Sequence, residues 1–254
     1  MPDPAFPPAS SFTFAYFALP GADRPVSEPV SAVIAAIEAD IIRGRILPGN
    51  RLIEDHLMED CDAKRHVVRA ALEELERLGV VVKPRHRGAE LRRFRVPEIA
   101  RLYDMREVLH RAAVRRMAHV SEAGLAEVER WLKLHRDAAA TGDVVAIHRA
   151  NMMFHQALFE LCDNVFIAMA IRQHDWLSFP IRAYGVADAE ALAQACDEHV
   201  EMVAQLGRGE LHALENLVVS HMAGARRIYE QKFVNPPAQA ASAQIERVGK
   251  AVLR

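Results

Sequence analysis

Three histidines, His155, His199 and His221, stand where Leu or Val belongs in the inward stripes of three separate predicted helices. The first stripe runs Val144, Ile147, Asn151, Phe154/His155, Leu158. The second runs Leu192, Cys196, His199, Val203, Leu206, and the third Leu214, Leu217/Val218, His221, Ala225, Ile228. A polar group taken out of water without a partner costs on the order of 2–7 kcal/mol, so three such rings call for a shared explanation. One is a metal ion held by a nitrogen from each; the other is a water-linked polar cavity in which the rings hydrogen-bond. Asn151 lies one turn before His155 on the same face, so its amide oxygen and the His155 ring can reach one ion. Three neutral imidazoles and an amide leave a divalent ion its full charge and open positions for water or an anion. Zinc suits such a donor set, with nickel or manganese as alternatives, and the open positions favour a carboxylate ligand.

Arg106 breaks a stripe in the same way. It sits among Ile99, Leu102, Leu109, Ala113 and Met117, where an apolar side chain belongs. A buried guanidinium demands an anion, which is either an internal Asp or Glu or the acid group of a bound effector. Arg106 and the metal together would clamp a carboxylate at two points. Arg149, Arg172, Arg182 and Tyr184 are further candidates whose facing the periodicity leaves open. A three-histidine metal can also activate water, so a metalloenzyme using Glu198 is one alternative function and a direct metal sensor another. Against an enzyme, no second acid–base residue stands at a fixed spacing.

These residues are carried by six predicted helices, at about Pro97–His119, Glu122–Ala140, Asp143–Cys162, Val165–Arg182, Asp188–Leu206 and Glu210–Lys232. Breaks fall at Ser121, Thr141-Gly142, Asp163-Asn164, Gly185 and Gly207–Gly209. With almost no strand signal, this half reads as an antiparallel helical bundle.

The preceding segment has a different pattern. Val30, Val33, Ile34, Ile37 and Ile41 make one helix that stops at Gly44; short helices follow at Ile53–Glu59 and Ala63–Leu78. Val80–Val82 and Ala89–Arg92 then read as strands around a basic turn. This is the order of a winged helix-turn-helix. On the third helix Val67, Ala71, Leu75 and Leu78 share one face, with Arg65 and Arg69 opposite and His66 beside them. Glu73 and Glu76 lie farther along the exposed face, away from base edges or paired with Arg. From Lys64 to Arg95 there are ten basic and four acidic residues, a local charge of +6 in a chain whose net charge is -2. Lys64, Arg65, His66 and Arg69, with Lys83, Arg85, Arg87 and Gly88 of the wing, are therefore the predicted DNA contacts, Arg reading guanine in the major groove.

Residues 30–95 resemble the winged-helix domain of GntR regulators. The resemblance rests on Gly44-Arg45-Ile46-Leu47-Pro48-Gly49, on Val68-Arg69-Ala70-Ala71-Leu72-Glu73-Glu74-Leu75-Glu76-Arg77-Leu78-Gly79 and on Arg87-Gly88-Ala89. The family's usual Ser-Arg-Thr-Pro-Val-Arg is here Lys64-Arg65-His66-Val67-Val68-Arg69, so both arginines survive while the hydroxyl contacts do not. The helical half, about Pro97–Lys232, is similar to the effector domain (FCD) of the family's FadR branch, and its six helices suit the VanR-like subgroup. Metal-binding members use Asp-x3-His and two later histidines, which implies Asn151, His155, His199 and His221 here, with Asn in place of the carboxylate. The context Tyr103-Asp104-Met105-Arg106-Glu107-Val108-Leu109 matches the family's Tyr-x-x-Arg, implying that Tyr103 and Arg106 hold an effector acid. The resemblance further implies a homodimeric repressor on a palindromic operator.

The remaining features bound this reading. The chain has 254 residues, 51% of them hydrophobic, enough for real cores. Cys61, Cys162 and Cys196 are odd in number and widely spaced, which predicts free thiols in a reducing cytoplasm. The expected organisation is an arm over 1–26, a DNA-binding domain over 27–95, an effector domain over 96–233 and a poorly ordered tail over 234–254, with a short helix at Ile245–Leu253. The start fails as a signal peptide and no stretch is long enough to span a membrane.

Overall fold

The computed structural model describes residues 26–235; the expected arm over 1–26, apart from Val26, and the expected helix at Ile245–Leu253 lie outside them. The first helix, α1 (Glu28–Ile42), buries Val33, Ile34, Ile37 and Ile41 and ends ahead of Gly44, whose φ of 71° suits a residue without Cβ. Two further helices follow, α2 (Glu54–Asp60) and α3 (Arg65–Arg77). The buried face of α3 is Val68, Ala71, Leu72 and Leu75, one residue removed from the predicted start of the stripe; Val67 is only partly covered. The full burial of each Val or Leu side chain among these contributes about 1.5–3 kcal/mol.

The wing strands β2 (Val81–Val82) and β3 (Ala89–Leu91) pair antiparallel as the pattern predicts. They are joined by a third strand, β1 (Arg51–Leu52), which pairs with β3 so that Arg51 faces Glu90 and the sheet order is β1-β3-β2. Two residues between a turn and a helix leave no period to read, so β1 has no signal in the sequence.

The bundle consists of α4 (Val96–Val114), α5 (Glu122–Thr141), α6 (Val144–Glu160), α7 (Val165–Leu177), the single turn α8 (Phe179–Arg182), α9 (Ala189–Gly207) and α10 (Leu211–Tyr229). Side-chain caps start four of them: Ser121 accepts from Gly124 N, Asp143 from Val145 and Ala146 N, Asn164 from Phe166 and Ile167 N, and Asp188 from Ala191 N. Each such cap stabilises by about 1 kcal/mol. The expected single helix over Val165–Arg182 is interrupted at Ser178. Pro180 has no N–H to give to Trp176 and its ring crowds that carbonyl, and the buried Ser178 hydroxyl instead accepts from Arg106 and donates to Asp175 O.

The two halves share one core. Buried residues of the winged helix, Ile34, Leu78, Val80 and Phe94 among them, pack in the same cluster as Val145, Trp176, Phe179, Tyr184 and Tyr229 of the bundle. Polar contacts reinforce the junction: Tyr184 donates to Ile46 O at 3.1 Å and Phe94 N donates to the Tyr229 hydroxyl at 3.0 Å. No helix among the described residues is long and apolar enough to cross a membrane.

Candidate metal centre and nucleic-acid face

Helices α6, α9 and α10 aim His155, His199 and His221 at one point, and each pair of Nε2 atoms is 3.2 Å apart. Each of the three nitrogens carries either a proton or a lone pair, so at least two are alike and one contact of the three cannot be a hydrogen bond. A cation facing three lone pairs removes that conflict, and the donor set therefore fits a metal ion. His155 and His199 are buried, and burial followed by the neighbouring histidines holds their pKa well below the ordinary value, leaving neutral rings able to ligate. Asn151, one turn before His155, lines the same cavity.

Two groups behind the rings set their orientation. Glu198 accepts from His221 Nδ1 at 2.5 Å and from Gln194 at 2.7 Å. Burial opposes its charge, but these bonds hold its pKa below the usual carboxylate value. A proton on His221 Nδ1 leaves Nε2 as a lone pair facing the shared point. His135 of α5 lies with Nδ1 3.3 Å from His199 Nδ1; with its lone pair at that nitrogen it would accept from His199 and leave the His199 Nε2 lone pair facing the shared point. Burial, then the charge of His221, depresses the His135 pKa to about 4. Sequence reading missed His135, although Val128, Trp131, His135 and Ala138 form a stripe of the same kind as the other three.

The cavity also takes in Tyr103, Arg106, His110, Asp175 and Arg182. Arg106 is buried as predicted, and the structure supplies an internal anion: its Nη1 lies 2.7 Å from Asp175 Oδ1 and 2.6 Å from Ser178 Oγ. The same carboxylate oxygen lies 3.4 Å from Arg182 Nη1. Burial works against the charge of Asp175, yet Arg182 and Arg106 keep its pKa lowered. Two guanidiniums thus share one carboxylate, and Arg106 Nε, Arg182 Nε and the Tyr103 hydroxyl have no partner among the described residues. Arg106 and Arg226 both approach the Tyr103 ring, at 5.7 and 5.6 Å. Of the residues with ambiguous facing, Arg182 lines the cavity, whereas Arg149 bonds Glu38, Arg172 bonds Glu160 and Tyr184 bonds Ile46.

At the other end of the chain Lys64, Arg65, His66, Arg69, Lys83, Arg85, Arg87 and Gly88 are all exposed. Gly88, at φ 74°, closes the wing turn before β3. Lys83 of the wing pairs with Glu76 at 2.8 Å, a lysine where the sequence pattern suggested an arginine partner. Arg65 and Arg69 take their partners from α2 instead, which no spacing within α3 indicates: Arg69 Nε bonds both Glu54 oxygens and Arg65 bonds Glu54 and Asp55. The three cysteines are free.

Comparison with known proteins accords with both halves. The bacterial regulatory proteins gntR family matches residues 29–91 and the FCD domain matches residues 101–224. The chain belongs to the GntR family: it is a DNA-binding transcriptional regulator with a winged helix-turn-helix and an FCD effector domain. No curated protein sequence matches it significantly. Similar solved structures include a GntR transcriptional regulator from Rhodococcus sp. RHA1, at 23% identity and TM-score 0.65 over 82% of this chain and 100% of that one. E. coli McbR/YncC matches at 18% identity and TM-score 0.67 over 81% and 98%. Lar, which controls expression of the Listeria monocytogenes agr system, matches at 18% and 0.53 over 80% and 96%. At these identities the likeness concerns the fold.

Proposed function

We propose that this regulator holds a divalent metal through His155, His199 and His221, with Asn151 beside them, and that a small organic acid bound in the same cavity modulates operator binding. The observation that carries the reading is the 3.2 Å triangle of Nε2 atoms, which no arrangement of ring protons satisfies. When bound, the metal supplies a Lewis-acidic anchor for a carboxylate, and zinc suits the donor set best, with nickel or manganese as alternatives. Arg106 and Arg182 are two cations on the single carboxylate of Asp175, so that end of the cavity carries one positive charge in excess, while Glu198 is committed to His221 at the other end; the Tyr103 hydroxyl has no partner among the described residues. The cavity is about 90 Å³, room for about three water molecules at their share of liquid volume, which suits a small acid.

Glu198 is committed to His221 Nδ1 and Gln194, which favours a positioning role over that of an acid–base catalyst and a sensor over an enzyme. Six long helices and one extra turn support the VanR-like subgroup. The domains are taken as 27–95 and 96–233, and the protein as a cytoplasmic homodimeric repressor. Differential binding worth about 1–3 kcal/mol changes operator affinity about 5–150-fold.

The test is calorimetry with a panel of small mono- and dicarboxylates, on metal-loaded and chelated protein and on Arg106→Met, beside DNA-release assays. The metal-loaded wild type should bind one class of acid and release DNA. Chelation should abolish both responses and leave DNA binding intact. Full-strength acid binding after chelation would overturn the metal anchor, and full-strength binding by Arg106→Met would overturn the arginine.

A further inference from the structure

Among the described residues, Glu54 is the one acidic side chain that bonds both predicted base-reading arginines. Its two oxygens lie 3.1 and 2.9 Å from Arg69 Nε, and one of them lies 3.3 Å from Arg65 Nη1. Asp55 holds Arg65 Nη2 at 2.6 Å but does not reach Arg69. The Nη groups of Arg69 make no hydrogen bond among the described residues, and its side chain is 58% exposed against 31% for Glu54. The bond is therefore made along the inner edge of the guanidinium, and the outer edge stays open. Glu54 also lines the groove between α3 and the wing, where Arg51, Arg69, Lys83 and Arg87 gather.

This arrangement has two chemical consequences. Guanine is read through two parallel N–H bonds to O6 and N7. With Nε engaged by Glu54, the remaining fork of Arg69 is its terminal amino pair, presented end-on along a fixed direction. Phosphate is bound by nearly any approach of a cation, and a carboxylate within 3 Å of Arg69 opposes that approach by like-charge repulsion. We propose that Glu54 is a specificity-determining positioning residue: it holds Arg69, and in part Arg65, for end-on base contact and suppresses their use as sequence-blind phosphate contacts. This rests on the reading of Arg69 as a base contact, and the test separates the two.

The test uses the full chain as wild type, Glu54→Gln, Asp55→Asn and Arg69→Ala, with a randomised duplex library and a bulk random-sequence duplex as probes. In Glu54→Gln, affinity for the bulk duplex should rise severalfold, and its salt slope should steepen by about 0.9, one added phosphate contact. The enrichment of wild-type-selected sequences over bulk should fall at least about tenfold, the size of a lost bidentate base contact. Asp55→Asn should preserve most of that enrichment, since Asp55 does not touch Arg69. Thermal melting of each variant checks folding, and wild-type enrichment in a folded Glu54→Gln protein overturns the proposal. If Arg69→Ala loses enrichment while Glu54→Gln keeps it, Arg69 reads a base but Glu54 does not position it. If Arg69→Ala keeps full enrichment, the base-contact reading falls and the role of Glu54 falls with it.

Discussion

Arg149 of α6 donates to Glu38 of α1 through Nε at 3.0 Å and Nη2 at 2.8 Å, in a pair whose side chains are each 11% exposed. Nη2 also reaches Ala35 O at 3.3 Å. The helix that carries Asn151 and His155 is thus bonded, two residues before Asn151, to the first helix of the DNA-binding half. A change at the cavity that rotates or shifts α6 must either carry α1 with it or break this pair.

Removing one partner of so covered a pair leaves a charge without its counterion. Arg149→Met or Glu38→Met should each destabilise by about 3 kcal/mol, and the double variant should recover much of the loss. Denaturant titration of the four proteins gives the cycle. Strictly additive losses would show that the pair does not act as a unit.

His199→Ala and His221→Ala should each abolish stoichiometric metal, because the triangle loses a corner. Asn151→Asp should tighten binding by adding an anionic oxygen. Metal mass spectrometry of the purified proteins decides this: equal content in wild type and a double-histidine variant would support the water-linked cavity instead.

Asp175 is the only anion bonded to Arg106 and Arg182 among the described residues. Asp175→Asn keeps the shape but leaves two buried cations unpaired, and should cost about 3–5 kcal/mol. Added carboxylate should recover more stability in this variant than in wild type, as read by melting with and without acid. An unchanged melting temperature would mean that solvent already neutralises the pair.

His148 gives a pH prediction. It is buried against Phe179 with neither ring nitrogen partnered among the described residues, and burial, then Arg182, lowers its pKa to about 3. The unfolded ring takes up a proton below about 6.5 and the folded one does not. The stability due to the neutral ring is therefore complete above pH 6.5 and is lost as pH falls towards 3, at roughly 1.4 kcal/mol per pH unit. His148→Leu should flatten that acid limb and add about 1–3 kcal/mol at neutral pH by removing unsatisfied nitrogens. Parallel acid limbs in the two proteins would refute the assignment.

What the sequence disclosed was local. Helix stripes, the stop at Gly44, the breaks at Ser121 and Gly142 and the helix start at Asp143 act within one turn, and each is legible there. The histidine triangle was legible because three independent stripes each carried one misplaced ring. The partners were not: Asp175 lies 69 residues from Arg106, Glu198 bonds a ring on another helix, and Glu54 reaches across from α2 to α3. Such pairings depend on how helices cross, which no period records. Ser178 was missed because the apolar pattern runs on through Pro180, whose missing N–H and crowding ring end the helix.

The contact between Gly79 and Leu177 extends these findings. A Cβ on Gly79 would stand 2.6 Å from Leu177 Cδ1, so the winged helix meets the bundle closely enough that the tip of Leu177 would have to move aside, at a residue whose φ of 77° already favours glycine. The two halves behave as one lock with its key left in: a chimera carrying a foreign DNA-binding half would have to match this fit as well as the sequence it reads. Cut apart between β3 and α4, each piece would bring a greasy face into water and self-associate before it recognised anything.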